Sequence, residues 1–198
     1  MNIEPIRLLQ GMHDDTATTG HGCFMNVIAY LNGESQITDN SPCVCVTVRH
    51  LSIQLNDLGT DEQRLRLLPF VLRAMGSATK DAEVLAARVA RLRKYGEECA
   101  KLMRGSGSNS TAYANAKAYA SAYAYAGSNS IAYANANAYA NAYAYAYAYA
   151  SATATRLKAS LFDAGLRFLD DVLPAAEPAS LVVAERFETL VKMQAEAA

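Results

Sequence analysis

Apolar residues recur at helical spacing over most of the first hundred positions of this chain. The run CFMNVIAYL, over residues 23–31, places its apolar side chains on one side of a helix and stops at Asn32-Gly33, a frequent end signal. A second run follows Pro42 over residues 43–57. Its alternating valines add some strand character, although a helix is favoured. Both runs therefore predict helices.

The clearest helix start in the sequence is at Thr60, where a capping threonine is followed three residues later by Gln63. Apolar residues then continue on one face, but Pro69 lies among them and predicts a kink or a break. The face comprises Leu65, Leu68, Val71, Leu72 and Met75.

Three longer amphipathic segments complete the predicted helices. They run from about residue 80 to 103, from 156 to 173, and from 179 to 196 after a linker with Pro174 and Pro178. The inward positions are predicted to be Val84, Leu85, Val89, Leu92 and Tyr95 in the first segment and Leu157, Leu161, Leu166 and Leu169 in the second.

The pattern changes to strict alternation from Gly107 to Thr155, where every even-numbered position is Ala or Ser. The segment is a tandem repeat with a period of 20, and GSNS opens a unit at Gly107 and again at Gly127. A spacing of two is typical of strands, whereas a helix would scatter the tyrosines around its axis. Because the alternation keeps its phase across GSNS, a β-solenoid or β-roll with an alanine interior is preferred. A helix and a flexible low-complexity tract are the alternatives.

The predicted fold class is therefore α+β, a mostly α-helical domain interrupted by an Ala/Tyr-alternating repeat. An irregular lead-in covers residues 1–22 and a helical domain covers 23–104. The repeat insert covers 105–155, and C-terminal helices over 156–198 are predicted to pack on the helical domain.

The charge and composition of the chain indicate which partners and which cellular compartment to expect. The net charge is -1, so nothing global points to nucleic acid or to an anionic membrane. No secretory leader and no apolar run of about 18 residues is seen, which predicts a cytoplasmic protein without a membrane partner. In that compartment the four cysteines, Cys23, Cys43, Cys45 and Cys99, are expected to be reduced.

One candidate for chemistry is Cys23, which directly precedes a predicted helix. A helix N-terminus lowers the pKa of a thiol and makes it a better nucleophile. The favoured interpretation is nevertheless a small buried cysteine that starts the helix. In an enzyme, the base would be His21 or His50, and the carboxylate orienting it would be Asp14, Asp15 or Asp39.

A second candidate is a metal site at Cys43-x-Cys45 with His50, joined by Cys23 or His21. Zinc sites usually have two to four residues between paired cysteines, so C-x-C is a weak match. Buried reduced thiols are favoured, and no cofactor or metal is predicted.

Residues 80–104 carry more basic than acidic side chains, and such a helix could lie along a phosphate backbone. Because charges of both signs alternate there, a solvated helix face is the favoured interpretation. Nucleic acid is thus a weakly supported partner.

Four short motifs follow one another in the first part of the chain: Gly22-x-x-Met25, Asp39-Asn-Ser-Pro42-Cys43-Val44-Cys45, Arg49-x-Leu51-x-Ile53-x-Leu55-Asn56-Asp57, and Arg64 to Ser77. They resemble a family of phage and bacterial proteins that joins a small helical domain to a Tyr-Ala or Tyr-Gly low-complexity segment. The resemblance covers about residues 20–95, and the family often has an acidic residue where Asn26 stands, which counts against catalysis by Cys23. It implies the architecture and no activity.

The leading functional hypothesis is a structural protein that self-associates through the repeat into filaments or oligomers, because a tyrosine-rich β-stack with one charge, Lys117, needs partners for its edges. The alternatives are a binding module for nucleic acid, carbohydrate or ice, and a cysteine-dependent enzyme centred on Cys23. The predicted assembly or binding surface is Tyr113, Tyr119, Tyr123, Tyr125, Tyr133, Tyr139, Tyr143, Tyr145, Tyr147 and Tyr149.

Overall fold

The computed structural model describes residues 6–11, 13, 16–105, 155–175 and 180–196. Within these ranges the chain forms eight helices. They are α1 (Thr16–Thr19), α2 (Phe24–Asn32), α3 (Val46–Leu58), α4 (Asp61–Leu65), α5 (Leu68–Ala74), α6 (Ala82–Gly105), α7 (Thr155–Val172) and α8 (Leu181–Glu196).

The predicted α+β class with a β-solenoid or β-roll is wrong. The described part of the chain is helical, and its extended pairing is limited to one isolated parallel bridge between Leu8 and Gly22. The predicted insert lies outside the described residues from 106 to 154. Where the alternation ends, at Thr155, the chain has already entered α7, so period two does not determine the structure at that residue.

The strand character expected from the valines before residue 50 is also absent. Val46 opens α3, and Val48, Leu51 and Leu55 are buried at spacings of three and four along it. Burial of that face outweighs the modest strand preference of valine, because β propensity mainly reflects the packing a residue finds. The helix is therefore decided by its apolar stripe.

The predicted capping box at Thr60 is confirmed. Thr60 Oγ1 accepts a hydrogen bond from Gln63 N at 3.2 Å, and Gln63 Oε1 accepts one from Thr60 N at 2.9 Å. The break predicted at Pro69 divides the segment into α4 and α5, with the proline in the first turn of α5. Leu65 ends α4 and is 48% exposed, so its predicted inward position is wrong.

The core forms around α2, every residue of which from Phe24 to Ala29 is buried. Helices α3, α5 and α8 contact α2, while α6 packs along α7, which also contacts α3. The two C-terminal helices thus pack on the helical domain, each on a different part of it.

The inward faces of α6 and α7 follow the predicted spacing only in part. Leu92 and Tyr95 are buried in α6, but Val84 is 39% exposed, so its predicted inward position is wrong. The side chain of Val89 is not among those that the structure describes. In α7 the predicted leucines are joined by Phe162 and Phe168, both fully buried.

Candidate functional site

Cys23 directly precedes α2 and is buried, which confirms the favoured interpretation of a buried cysteine at the helix start. Its sulfur faces the N–H groups of the first turn, and Asn26 Oδ1 accepts a hydrogen bond from Cys23 N at 3.3 Å. Burial raises the pKa of the Cys23 thiol to about 11, against the lowering effect of the Asn26 and Met25 N–H groups and with a further rise from Asp57 and Asp39. Desolvation outweighs the helix terminus, so the thiol is protonated at neutral pH.

Among the described acid–base partners predicted for Cys23, Asp39 is the one whose charge acts on the thiol. None of the groups that shift the pKa of Cys23 is a histidine. Burial and the charge of Arg49 lower the pKa of His50, with Asp39 acting in the opposite direction. His21 lies in the turn before the cysteine, where its N–H donates to Thr19 Oγ1 at 3.1 Å. The other two predicted carboxylates, Asp14 and Asp15, lie outside the described residues.

The raised pKa of Cys23 predicts a loss of stability in alkaline solution. The thiol ionises near its ordinary pKa of 9.0 in the unfolded chain and near about 11 in the folded protein. As pH rises past 9 the unfolded chain loses this proton first, so the contribution of Cys23 to the free energy of unfolding falls and levels off above about pH 11. Cys23 contributes about 1–3 kcal/mol to this fall.

Urea unfolding between about pH 8 and about pH 10.5 would measure this fall in the free energy of unfolding. The fall should be smaller in Cys23→Ala than in the unmodified protein. An equal fall in the unmodified protein and in Cys23→Ala would contradict the assignment.

The cysteines proposed as metal ligands form contacts with serine side chains. Cys43 Sγ lies 3.1 Å from Ser41 Oγ, and Ser41 in turn donates to Glu34 Oε1. Cys45 is the N-cap residue of α3, and its N–H donates to Ser77 Oγ at 3.0 Å. Over the described ranges no three His, Cys, Asp or Glu side chains are arranged to hold a metal ion.

The lead-in before Cys23 is fixed by polar side chains whose role the sequence did not reveal. Gln194, on α8, accepts a hydrogen bond from Arg7 N at 2.7 Å and donates to Arg7 O at 3.1 Å and to Gly20 O at 2.7 Å. One side chain near the C-terminus therefore joins two points of the lead-in. The only sequence signal is a glutamine four residues after Leu190 on the inward face of α8.

Two buried asparagines, Asn26 and Asn56, form hydrogen bonds with the same lead-in. Asn56 Nδ2 donates to Leu9 O at 2.7 Å, and Asn56 Oδ1 accepts from Phe24 N at 3.2 Å. Asn26 Oδ1 accepts from His13 N at 2.9 Å. Both asparagines are fully buried. These contacts are directed at main-chain atoms, so they fix the path of the lead-in rather than a catalytic group.

The basic side chains of α6 that could have met phosphates are partly used within the fold. Arg88 is buried and donates to Ser77 O at 2.6 Å, and Arg91 pairs with Asp171 on α7. Lys94 and Lys101 remain exposed. A continuous basic face for nucleic acid is therefore not formed by these four residues.

Arginines elsewhere bind the carbonyl ends of helices. Arg73 donates to Leu173 O at 2.8 Å and Pro174 O at 2.8 Å after α7, and Arg186 donates to Tyr30 O at 2.8 Å at the end of α2. The last carbonyls of a helix lack partners within it, and the arginines donate hydrogen bonds to carbonyls at these ends. The negative end of the helix dipole also favours a positive charge there.

Helices α6 and α7 form an antiparallel hairpin at the borders of the repeat. Arg91 pairs with Asp171, the Tyr95 and Phe168 rings lie 5.7 Å apart at their centroids, and Glu98 pairs with Arg167. Because the partner numbers fall along α7 as they rise along α6, the last residue of α6 and the first of α7 lie at the same end of the pair. We call this end, Gly105 with Thr155, the hairpin tip.

The ten tyrosines predicted to form the assembly surface lie outside the described residues. No family model, curated protein or solved structure matches the chain. The resemblance to the phage and bacterial family therefore stays a prediction. In the described part of the chain, no helix has both the length and the apolar character needed to cross a bilayer.

Proposed function

We propose that this is a structural, self-associating protein whose helical domain presents the tyrosine-rich repeat to other copies of the chain. The observation that carries the proposal is the hairpin tip. The repeat leaves the domain at Gly105 and returns at Thr155, at one end of an antiparallel pair whose own side chains hold it together. Such an arrangement displays an insert from a single place on the domain.

The composition of the displayed segment supports association. Ten tyrosines and many alanines accompany one charged side chain, Lys117, between residues 106 and 154. Tyrosine supplies a large apolar surface with one polar end, and such surfaces are favoured where proteins meet. With almost no charge to repel other copies, the segment gains most by burying its tyrosines against an identical segment.

The experiment compares the full chain with a variant in which the ten repeat tyrosines are replaced by serine. Sedimentation velocity over a hundredfold range of concentration would measure the weight-average mass. We expect the mass of the unmodified protein to rise with concentration, and we expect association to be at least about tenfold weaker in the serine variant, because several buried rings are lost per contact.

The matched control replaces the six asparagines of the same segment by serine and should associate like the unmodified protein. A monomer at every concentration would contradict the proposal. If that monomer instead bound single-stranded nucleic acid or a polysaccharide through the same tyrosines, the binding-module alternative would take its place.

A further inference from the structure

The lead-in is anchored to the helical domain by few buried apolar side chains. Among its described residues, the large apolar ones that are buried are Ile6 and Leu8. Its extended pairing there is one parallel bridge, in which Leu9 N donates to Gly22 O at 2.9 Å. Its other contacts, described above, are hydrogen bonds with polar side chains of the domain. A segment with so few apolar contacts opens more readily than a packed core.

The anchors of the lead-in are linked to one another, so we expect them to be lost together. The Gln194 side chain binds Arg7 near the beginning of the lead-in and Gly20 near its end at the same time. The bridge between Leu8 and Gly22 joins the same two stretches of chain. Loss of either link therefore loosens the lead-in at both of its ends.

The lead-in also borders the buried thiol of Cys23. Asn26 Oδ1 accepts hydrogen bonds both from Cys23 N at 3.3 Å and from His13 N at 2.9 Å. Asp57, whose charge acts on the Cys23 thiol, accepts a hydrogen bond from Gly11 N at 2.9 Å. Two groups that act on the cysteine therefore also hold the lead-in, so movement of the lead-in changes the surroundings of the thiol.

We propose that the lead-in acts as a strap that opens as one unit while α2 to α8 stay folded, and that its opening exposes the Cys23 thiol. In the closed protein Cys23 is 4% exposed, and burial keeps its thiol protonated. Opening removes that burial, whereas the N–H groups of Met25 and Asn26, which lower the pKa of the thiol, belong to α2 and stay in place. The lead-in therefore separates an inert state of this cysteine from a reactive one. This device does not depend on the proposed self-association.

Closure of the lead-in requires an approach to α8 that is too close for any side chain. Gly20 is left-handed with φ of 72°, and a Cβ built on it would lie 2.9 Å from Met193 Cβ and 3.1 Å from Leu190 O. Gly20→Ala should therefore push the lead-in away from α8. Gly76 is the matched position, because its φ is 73° and a Cβ there would meet no described atom within 4 Å.

The test measures by peptide mass spectrometry how fast N-ethylmaleimide, to whose double bond a thiolate adds, modifies each cysteine of the full-length protein near neutral pH. We expect Cys23 to react faster than Cys99, which is buried in α6, and to do so with little dependence on urea below the unfolding transition. Gly20→Ala should speed the modification of Cys23 at least about tenfold, because the added methyl group overpacks the closed state. Hydrogen exchange in the peptide containing residues 7–11 should accelerate in the same variant. Gly76→Ala should leave both rates unchanged.

If Gly20→Ala does not fold, Gln194→Ala removes the hydrogen bonds that join the two stretches and should speed the modification of Cys23 about fivefold or more. Its control is Lys192→Ala, at an exposed residue of α8. Modification of Cys23 and Cys99 at one common rate, with the same dependence on urea, would overturn the proposal, because the thiol would then be reached only when the whole domain unfolds. So would equal rates at Cys23 in a variant of the lead-in contacts and in its control.

Discussion

Replacing Phe168 by alanine should lower the free energy of unfolding by about 3–5 kcal/mol, the usual cost of removing a fully buried aromatic ring. Phe168 has no exposed surface and lies on the α7 side of the hairpin. Its ring centroid is 5.7 Å from that of Tyr95 on α6, with the planes tilted by 47°. The substitution removes this ring pair and leaves a cavity between two helices that cannot close without moving one of them.

Urea unfolding followed by circular dichroism would measure the change, because small single domains usually unfold in one cooperative transition. The matched control is Leu166→Ala, which truncates a half-buried side chain two residues earlier on α7. It should cost no more than about 2 kcal/mol, since less surface is withdrawn from water there. Equal losses in the two variants would show that the hairpin does not depend on the Tyr95–Phe168 contact.

The second large effect is expected at Asn56, where alanine should cost about 2–4 kcal/mol. Asn56 is fully buried, and its amide satisfies Phe24 N at the start of α2 and Leu9 O in the lead-in. Alanine leaves both main-chain groups without a partner, and each buried unsatisfied group costs about 1–3 kcal/mol. Hydrogen exchange of the lead-in amides should accelerate more than that of α7, because the contact that fixes them is lost.

Gln54→Ala provides the control, because Gln54 lies on the same helix two residues earlier and is half-buried. That variant should change the free energy of unfolding by less than about 1 kcal/mol. If the two variants were equally stable, the lead-in would be held by the burial of Ile6 and Leu8 and not by the buried amide.

Local patterns were sufficient to predict most of the helices. The run before Gly33 ends as expected, because glycine adopts the left-handed conformation there with φ of 78°. The capping box at Thr60 and the break at Pro69 depend on groups within a few residues of one another. Such features are decided by short-range sterics and hydrogen bonds, which the sequence states directly.

The predicted fold class was wrong because its β component was inferred from the alternation of residues in one segment. Alternation in the repeat was interpreted as a β-stack, yet the described chain contains no sheet, and Thr155 belongs to a helix. A spacing of two shows which residues share a face only after a strand exists. It does not supply the partner strands on which a sheet depends.

The sequence by itself determined where helices start and stop and which of their faces are apolar, because those properties arise within a few turns of the chain. Only the tertiary structure decided which polar residues matter. Gln194 meets Arg7 across 187 positions, and Arg88 meets Ser77 between two helices. It also decided that the Cys23 thiol is buried deeply enough for desolvation to raise its pKa, which the helix start alone would lower. Desolvation depends on everything that packs around a group, and that surrounding exists only once distant segments have come together.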